Sequence, residues 1–412
     1  HTDWLNMMYP RLKLARNLLR DDGVIFISID DGELNNLKSV CDEVFGDENF
    51  ISSFVWKSRQ NKDNRTVTGA SIDHEYVLCY GKKIRGCGRD LSQYSNPDND
   101  PRGAWTSGNM VGLATADSRP NLHYHLVDPG SGIDYGCPKM GWRYDRSTMA
   151  RLISEGRIIW PASQDGRPRR KSFLSELSAE FTGFSSIVGG STFTRDGTAD
   201  IDSLFSQPVF DFPKPVALIS ELLEQGMSDT DLVLDFFAGS GSTGHAIMGW
   251  NAVDGGKRRY ILVQLPEPLK SVDKDQKTAA DFCDKLGKPR TIAELTKERL
   301  RRAGSKIREE LEAKWAKESA EAIKKSAKPG LFETDVDEDN LSQRSMPDLG
   351  FRVFKLDTSN IRVWNPEAAN LKSVLLDNTE HILPDRSNTD VLYEMLLKLG
   401  LDLVAPISER TI

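Results

Sequence analysis

The most constraining stretch of this chain is Leu232-Val233-Leu234-Asp235-Phe236-Phe237-Ala238-Gly239-Ser240-Gly241-Ser242-Thr243-Gly244. A short apolar run closed by a glycine-rich turn reads as a buried strand leading into a helix. Gly239 and Gly241 can take positive φ and, lacking side chains, let the backbone come close to a ligand. The helix that follows aims free N–H groups and its positive dipole end at whatever sits on the turn. Such a unit belongs to an α/β fold and places a nucleotide-like ligand at the carboxyl end of the strand.

Two cofactor classes compete for that turn. Gly239-Ser240-Gly241-Ser242-Thr243-Gly244 satisfies the G-x-G-x-x-G pattern of dinucleotide sites. A nicotinamide dinucleotide also wants an acid closing the next strand, about 20 residues on. Here Tyr260-Ile261-Leu262-Val263 is followed by Gln264. Asp235, four residues before Gly239 at the strand end, can accept a hydrogen bond from a methionine ammonium. Phe236 and Phe237 offer apolar surface to an adenine or a methionine chain. The residues therefore favour S-adenosylmethionine over a nicotinamide cofactor. A turn that serves packing alone is the plainer alternative.

The chain has 412 residues, a formal charge of −7 and 38% apolar residues. That length suggests about two to three domains with a sizeable core. No window approaches the roughly 18 apolar residues of a membrane helix, which excludes a transmembrane protein of that kind. No basic segment precedes an apolar one in the manner of a secretory leader. Cys41, Cys79, Cys87, Cys137 and Cys283 are widely spaced and form no C-x-x-C pair, so a disulfide framework or zinc ribbon is not expected. A reducing, cytoplasmic setting fits. The mild acidity speaks against wrapping nucleic acid with the whole surface and leaves room for a local basic patch.

The chain opens at His1 inside a helical pattern running through Met8, Leu12, Ala15 and Leu19. Val24 to Ile29 then reads as a strand of the parallel-sheet kind. A chain opening inside an α/β unit is expected to be a fragment. A helix is expected over 33–48, with strands over Phe50–Trp56 and Glu75–Tyr80 and a basic loop from Lys57 to Ser71. A helix over 211–226, a strand over 231–237, a helix over 241–250 and a strand over 259–265 follow. A long charged helix is expected from Thr291 to Lys328, stopped by Pro329-Gly330, then an acidic linker from Glu333 to Asp339. The tail should hold one strand, Phe351–Phe354, and one helix, about Thr389–Leu399. The expected domains are a first part of the core over 1–84, an insert over 85–207, the cofactor part over 208–290, the long helix over 291–330 and a C-terminal module over 340–412.

Asp235-Phe236-Phe237-Ala238-Gly239-Ser240-Gly241-Ser242-Thr243 resembles the cofactor motif of amino-group DNA methyltransferases. Phe210-Asp211-Phe212-Pro213-Lys214-Pro215-Val216 resembles their K-P segment, which leads a helix into the same pocket. Trp4 to Arg16, Asp22 to Asp30, Tyr260 to Glu267, Leu295 to Arg299 and the tail from Phe351 resemble the modification (Mod) subunit of type III restriction-modification systems. The resemblance implies a Rossmann-like class I methyltransferase sheet with an inserted target-recognition module and a helical C-terminal extension. It implies S-adenosylmethionine at Asp235, Phe236, Phe237, Gly239, Ser240, Gly241, Thr243, Lys214 and Gln264. It implies methyl transfer to adenine N6 in duplex DNA, a restriction (Res) helicase-nuclease partner, and a Mod homodimer. The family's catalytic D-P-P-Y-type motif holds the flipped base and belongs upstream of His1; no such tetrapeptide occurs here. The chain is therefore expected to be inactive alone, with His1, Thr2 and Asp3 near the pocket rim. Gln264 departs from the acid that many methyltransferases place at the ribose, and Lys214 before a proline could equally be a solvated lysine.

The insert is the expected DNA reader. From Lys83 to Lys171 it carries 14 Lys and Arg against 9 Asp and Glu. Its densest patch is Arg167, Arg169, Arg170 and Lys171, suited to phosphates and guanine edges. Trp105, Tyr124, Tyr135, Trp142, Tyr144 and Trp160 could stack on a displaced base or build a small core. His123, His125 and Cys137 match no standard metal spacing. The rival functions are a non-catalytic DNA-recognition or assembly subunit, a cytosine-N4 methyltransferase and, more remotely, a nicotinamide-dependent oxidoreductase.

Overall fold

The computed structural model describes residues 1–177, 181–326, 345–362 and 381–408. They fall into two compact units. The first comprises His1–Ile247 and Arg258–Thr296, the second Met248–Lys257 and the chain from Lys297.

The first unit begins with α1 (Thr2–Leu18), β1 (Val24–Ile29), α2 (Leu34–Phe45), β2 (Phe50–Trp56) and β3 (Glu75–Gly81). β1 and β2 both pair antiparallel with β3, in the registers Ile29↔Tyr76 and Trp56↔Glu75. The parallel pairing expected for β1 is thus corrected. Its apolar run encodes burial on two faces, not strand direction, and β3 makes the same point. Leu78 and Tyr80 pack with Met8, Leu12, Leu37, Cys41 and Phe45 on one face. Val77 and Cys79 pack with Phe54, Trp56, Val188, Leu218 and Leu222 on the other. Alternation along the strand sends neighbours to opposite faces, so a strand covered on both sides is apolar throughout.

The segment that follows builds its own small core. It contains β4 (Cys87–Gly88), β5 (Trp105–Asn109), α3 (Arg146–Ser154), β6 (Ile158–Ile159), β7 (Arg169–Phe173) and β8 (Phe181–Thr182). β7 lies between β5 and β6, and β4 pairs with β8. Met110, Tyr124, Leu126, Trp142, Met149, Leu152 and Ile158 form the core. Tyr124 and Trp142 are therefore occupied in packing, with the Trp142 indole donating to the Tyr124 carbonyl at 2.9 Å. α3 is capped by Asp145, whose carboxylate accepts from the Thr148 N–H at 2.7 Å.

The chain returns to the first sheet through β9 (Ile187–Val188), which pairs parallel with β2. Then come α4 (Thr194–Phe205), α5 (Val216–Gly226), β10 (Leu232–Asp235), α6 (Ser242–Asp254), β11 (Arg259–Leu262) and α7 (Lys274–Lys285). β10 and β11 pair parallel, Asp235 opposite Leu262. α5 starts five residues later than expected, because Pro213 and Pro215 keep the residues before them out of the helical region. Phe212 sits at φ +48°.

α8 (Ile292–Ser326) matches the expected long helix over its described length. The expected stop at Pro329-Gly330 and the acidic linker lie outside the described residues. In the second unit α9 (Asn388–Lys398) begins with a capping box between Ser387 and Asp390. The strand expected at Phe351–Phe354 is not formed. Its side chains are used instead, Phe354 against Tyr393 at 5.1 Å and Arg352 donating to the Leu403 carbonyl at 2.7 Å. Among the described residues no helix is long and apolar enough to cross a membrane.

Candidate cofactor and nucleic-acid sites

The turn after β10 is held by side chains from both of its ends. The Asp235 carboxylate accepts from the Phe237 N–H at 3.1 Å and from the Thr243 hydroxyl at 2.6 Å. Gln264, just beyond β11, accepts from the Gly239 N–H at 2.8 Å. The Thr296 hydroxyl donates to the Gly239 carbonyl at 2.6 Å. Gly239 and Gly241 take φ +49° and +80°, a region that disfavours other residues. This brace is tertiary and could not be read from the motif alone.

The residues present fit a nucleotide-like methyl donor. A Cβ placed on Gly239 would meet only the Phe237 carbonyl, at 3.7 Å, so the space above it is open. Phe237 is 52% exposed, with Phe236 beside it at 5.3 Å between rings. Each Asp235 oxygen uses one acceptor position, leaving capacity for a further donor. The Ser240 and Ser242 hydroxyls lie 3.2 Å apart at the helix start.

Lys214 is placed differently from the sequence expectation. Its backbone carbonyl touches the turn, accepting from the Ser242 hydroxyl at 2.7 Å. Its ammonium turns away, pairs with Glu75 and lies 5.0 Å over the Trp56 ring. Glu75 opens β3 and Trp56 closes β2, so the pair stands at one end of the two central strands of the first sheet. An open cleft of about 450 Å³ lies there, lined by Trp4, Ser28, Ile29, Asp30, Glu33, Glu75 and Lys214. His1 bonds Glu33 at 2.7 Å, which sets it at the rim of this cleft. Sequence reasoning missed Glu75. Its only signal was position, as a lone carboxylate at the head of an apolar run.

The basic patch divides in two. Arg167 and Arg169 are exposed. Arg170 bonds the Tyr144 hydroxyl at 2.9 Å and is half-buried. Lys171, expected as a phosphate contact, is only 9% exposed. It pairs with Asp98 and, at 3.0 Å, with Asp100. Arg169 and Lys171 lie on the same face of β7, which Phe173 shares; Lys171 is covered there by Asp98, Asp100 and the Trp105 ring, while Arg169, at the start of the strand, is left exposed. His125 bonds Asp134 at 2.8 Å. Among the described residues no cluster of three or more His, Cys, Asp or Glu is arranged to hold a metal ion.

A glycine turn with an open backbone after a parallel strand defines a nucleotide-type ligand site in an α/β protein. The family model for DNA methylases, N6_N4_Mtase, matches residues 1–253, and the chain belongs to that family. The StyLTI Mod subunit of a type III restriction-modification enzyme from Salmonella typhimurium is 33% identical, over 75% of this chain and 46% of its own length. The EcoP15I Mod subunit of Escherichia coli is 29% identical, over 75% of this chain and 52% of its own. The type II methyltransferase M.KpnI of Klebsiella pneumoniae is 32% identical, over 65% of this chain and 68% of its own. The chain thus spans about half the length of the two Mod subunits. The solved M1.HpyAVI–SAM complex is similar at a TM-score of 0.26 and 13% identity, over 66% of this chain and 80% of that one.

Proposed function

We propose that the whole protein is the modification subunit of a type III restriction-modification system, transferring a methyl group from S-adenosylmethionine to adenine N6 in duplex DNA. The observation that carries this is the braced, open turn Asp235–Thr243 in a chain of the DNA methylase family. Asp235 would hold the cofactor's ammonium, the faces of Phe236 and Phe237 its apolar parts, and the backbone at Gly239, Ser240 and Gly241 would allow its close approach. Thr243 keeps Asp235 oriented. Gln264 fixes the turn through Gly239, donates one amide N–H to the Leu265 carbonyl, and would offer the other to the ribose, without the charge of an acid. When bound, the cofactor supplies an electrophilic methyl group. Residues 85–207 are the proposed target-recognition module, with Arg167 and Arg169 as its phosphate contacts and Arg170 as a positioned neighbour. A Res helicase-nuclease partner, a Mod homodimer and a bacterial cytoplasmic setting complete the proposal, supported by the two Mod relatives.

The test begins with calorimetric binding of S-adenosylmethionine and of NAD to this chain. Binding of the first alone supports the reading, and binding of NAD alone sinks it. The whole gene product is then given labelled S-adenosylmethionine and mixed-sequence duplex DNA, and the nucleosides are separated. Label on N6-methyladenine is expected. Label on N4-methylcytosine would reassign the base, and DNA binding without label would favour a recognition or assembly subunit.

A further inference from the structure

We infer that Glu75 is a positioning residue for the cofactor turn, acting through Lys214. The inference rests on the methyl-donor reading of that turn. Lys214 touches both the turn and the cleft described above. Its carbonyl receives the Ser242 hydroxyl at 2.7 Å, at the first residue of α6. Its ammonium pairs with Glu75 and sits over Trp56, the cross-strand partner of Glu75. The backbone between these contacts is stiff, because Pro213 and Pro215 flank Lys214 and fix their own φ. Pro215 also restricts the backbone of Lys214 itself to the extended region, which links the place of its side chain to that of its carbonyl.

The neighbouring contacts hold only the ends of the segment. The Val216 N–H donates to Asp200 at 2.8 Å, past the second proline. The Pro213 carbonyl lies against Gly197 of α4, where a Cβ would come within 2.0 Å of it. Between those points the Lys214 side chain is anchored by Glu75. Glu75 pairs with Lys214 and lines the cleft at the end of the central strands. Anchoring Lys214 keeps its carbonyl on Ser242, and that fixes the start of the helix whose N–H groups face the ligand.

The experiment is calorimetric titration of S-adenosylmethionine into the 412-residue chain, with a melting curve for each protein. The proteins are the unaltered chain, Glu75→Ala, Glu75→Gln, Ser242→Ala and the Glu75→Ala/Ser242→Ala double variant. Glu75→Ala is expected to weaken binding about tenfold, the scale of one lost charged hydrogen bond, with the melting curve unchanged. Glu75→Gln should fall between, since its amide oxygen still accepts from the ammonium. The double variant should bind no worse than the weaker single variant, because both changes act on Lys214. Unchanged affinity in Glu75→Ala overturns the inference. So do single effects that multiply in the double variant, or an affinity loss that appears only with a lowered melting temperature in both Glu75 variants. No binding by the unaltered chain overturns the methyl-donor reading itself, and this inference with it.

Discussion

At the scale of single residues, Asp235 has two duties. It closes the turn on Phe237 and Thr243, and it offers spare acceptor capacity to a ligand. Asp235→Ala should weaken S-adenosylmethionine binding by about 1–3 kcal/mol, the range for a hydrogen bond to a charged group, and lower the melting temperature as well. Gly241→Val should abolish binding, because a β-branched residue is strained at φ +80°. Calorimetry on either variant checks this, and parity with the unaltered chain removes that residue from the site. The cysteines give an independent check on the fold. Burial pushes the thiols of Cys41 and Cys79 up to about 12, whereas Cys87 and Cys137 are exposed. Alkylation of the native protein near pH 8 should label Cys87 and Cys137 and spare Cys41 and Cys79 until denaturant is added. Peptide mass mapping reads the outcome, and early labelling of Cys79 would contradict the two-faced packing of β3.

At the scale of elements, β7 separates two kinds of basic residue. Replacing Arg167 and Arg169 with Ala should weaken DNA binding and reduce the salt slope by about 2, near one unit per phosphate contact. Lys171→Met should leave that slope unchanged and lower the melting temperature, since it strips Asp98 and Asp100 of their shared cation. A reduced slope in Lys171→Met would place that lysine on DNA after all. In the second unit, α9 holds the 357–362 segment through Glu394. Its carboxylate accepts from the Asn360 N–H at 2.7 Å and also binds Lys398 and Ser359. Lys398 first, then those two donors, lower its pKa from 4.5 to about 2. With the folded value lowered, this contact contributes fully above about pH 4.5 and is lost as pH falls through about 2. The Asn360 amide resonance should therefore hold its position until the pH falls towards about 2 and shift through that range, and Glu394→Gln should shift it at neutral pH.

At the scale of the whole molecule, α6 spans the division between the two units. It begins at Ser242 in the first unit, beside the glycine turn, and from Met248 belongs to the second. There Met248 is buried, as are Leu300, Ala303 and Ile307 of α8. A chain ending at Thr296 should thus leave the latter half of α6 without its packing. It should melt at a lower temperature and bind S-adenosylmethionine more weakly than the 412-residue chain. Equal affinity would show that the turn needs only the first unit. The net charge of −7 does not favour DNA by itself, so the proposed DNA binding would draw on local patches such as Arg167 and Arg169.

The strand–turn–helix at Leu232–Gly244 was legible in the sequence because glycine placement and apolar runs are local signals. So were the long helix and the tail helix, which carry their own caps or periodicity. The direction of β1 was not legible, because an apolar run reports burial and leaves open which partner strand supplies the hydrogen bonds. The delayed start of α5 was available in principle from Pro213 and Pro215. Lys171 looked like its neighbours in a basic run, and only the pairing of β7 with β5 and β6 turned it inward to two carboxylates. Glu75 and Lys214 are 139 positions apart, and Gly239 and Gln264 are 25 apart. Sequence by itself determined the chemistry on offer at the turn. Tertiary structure decided which side chains brace it, because those contacts join segments whose proximity only the folded chain creates.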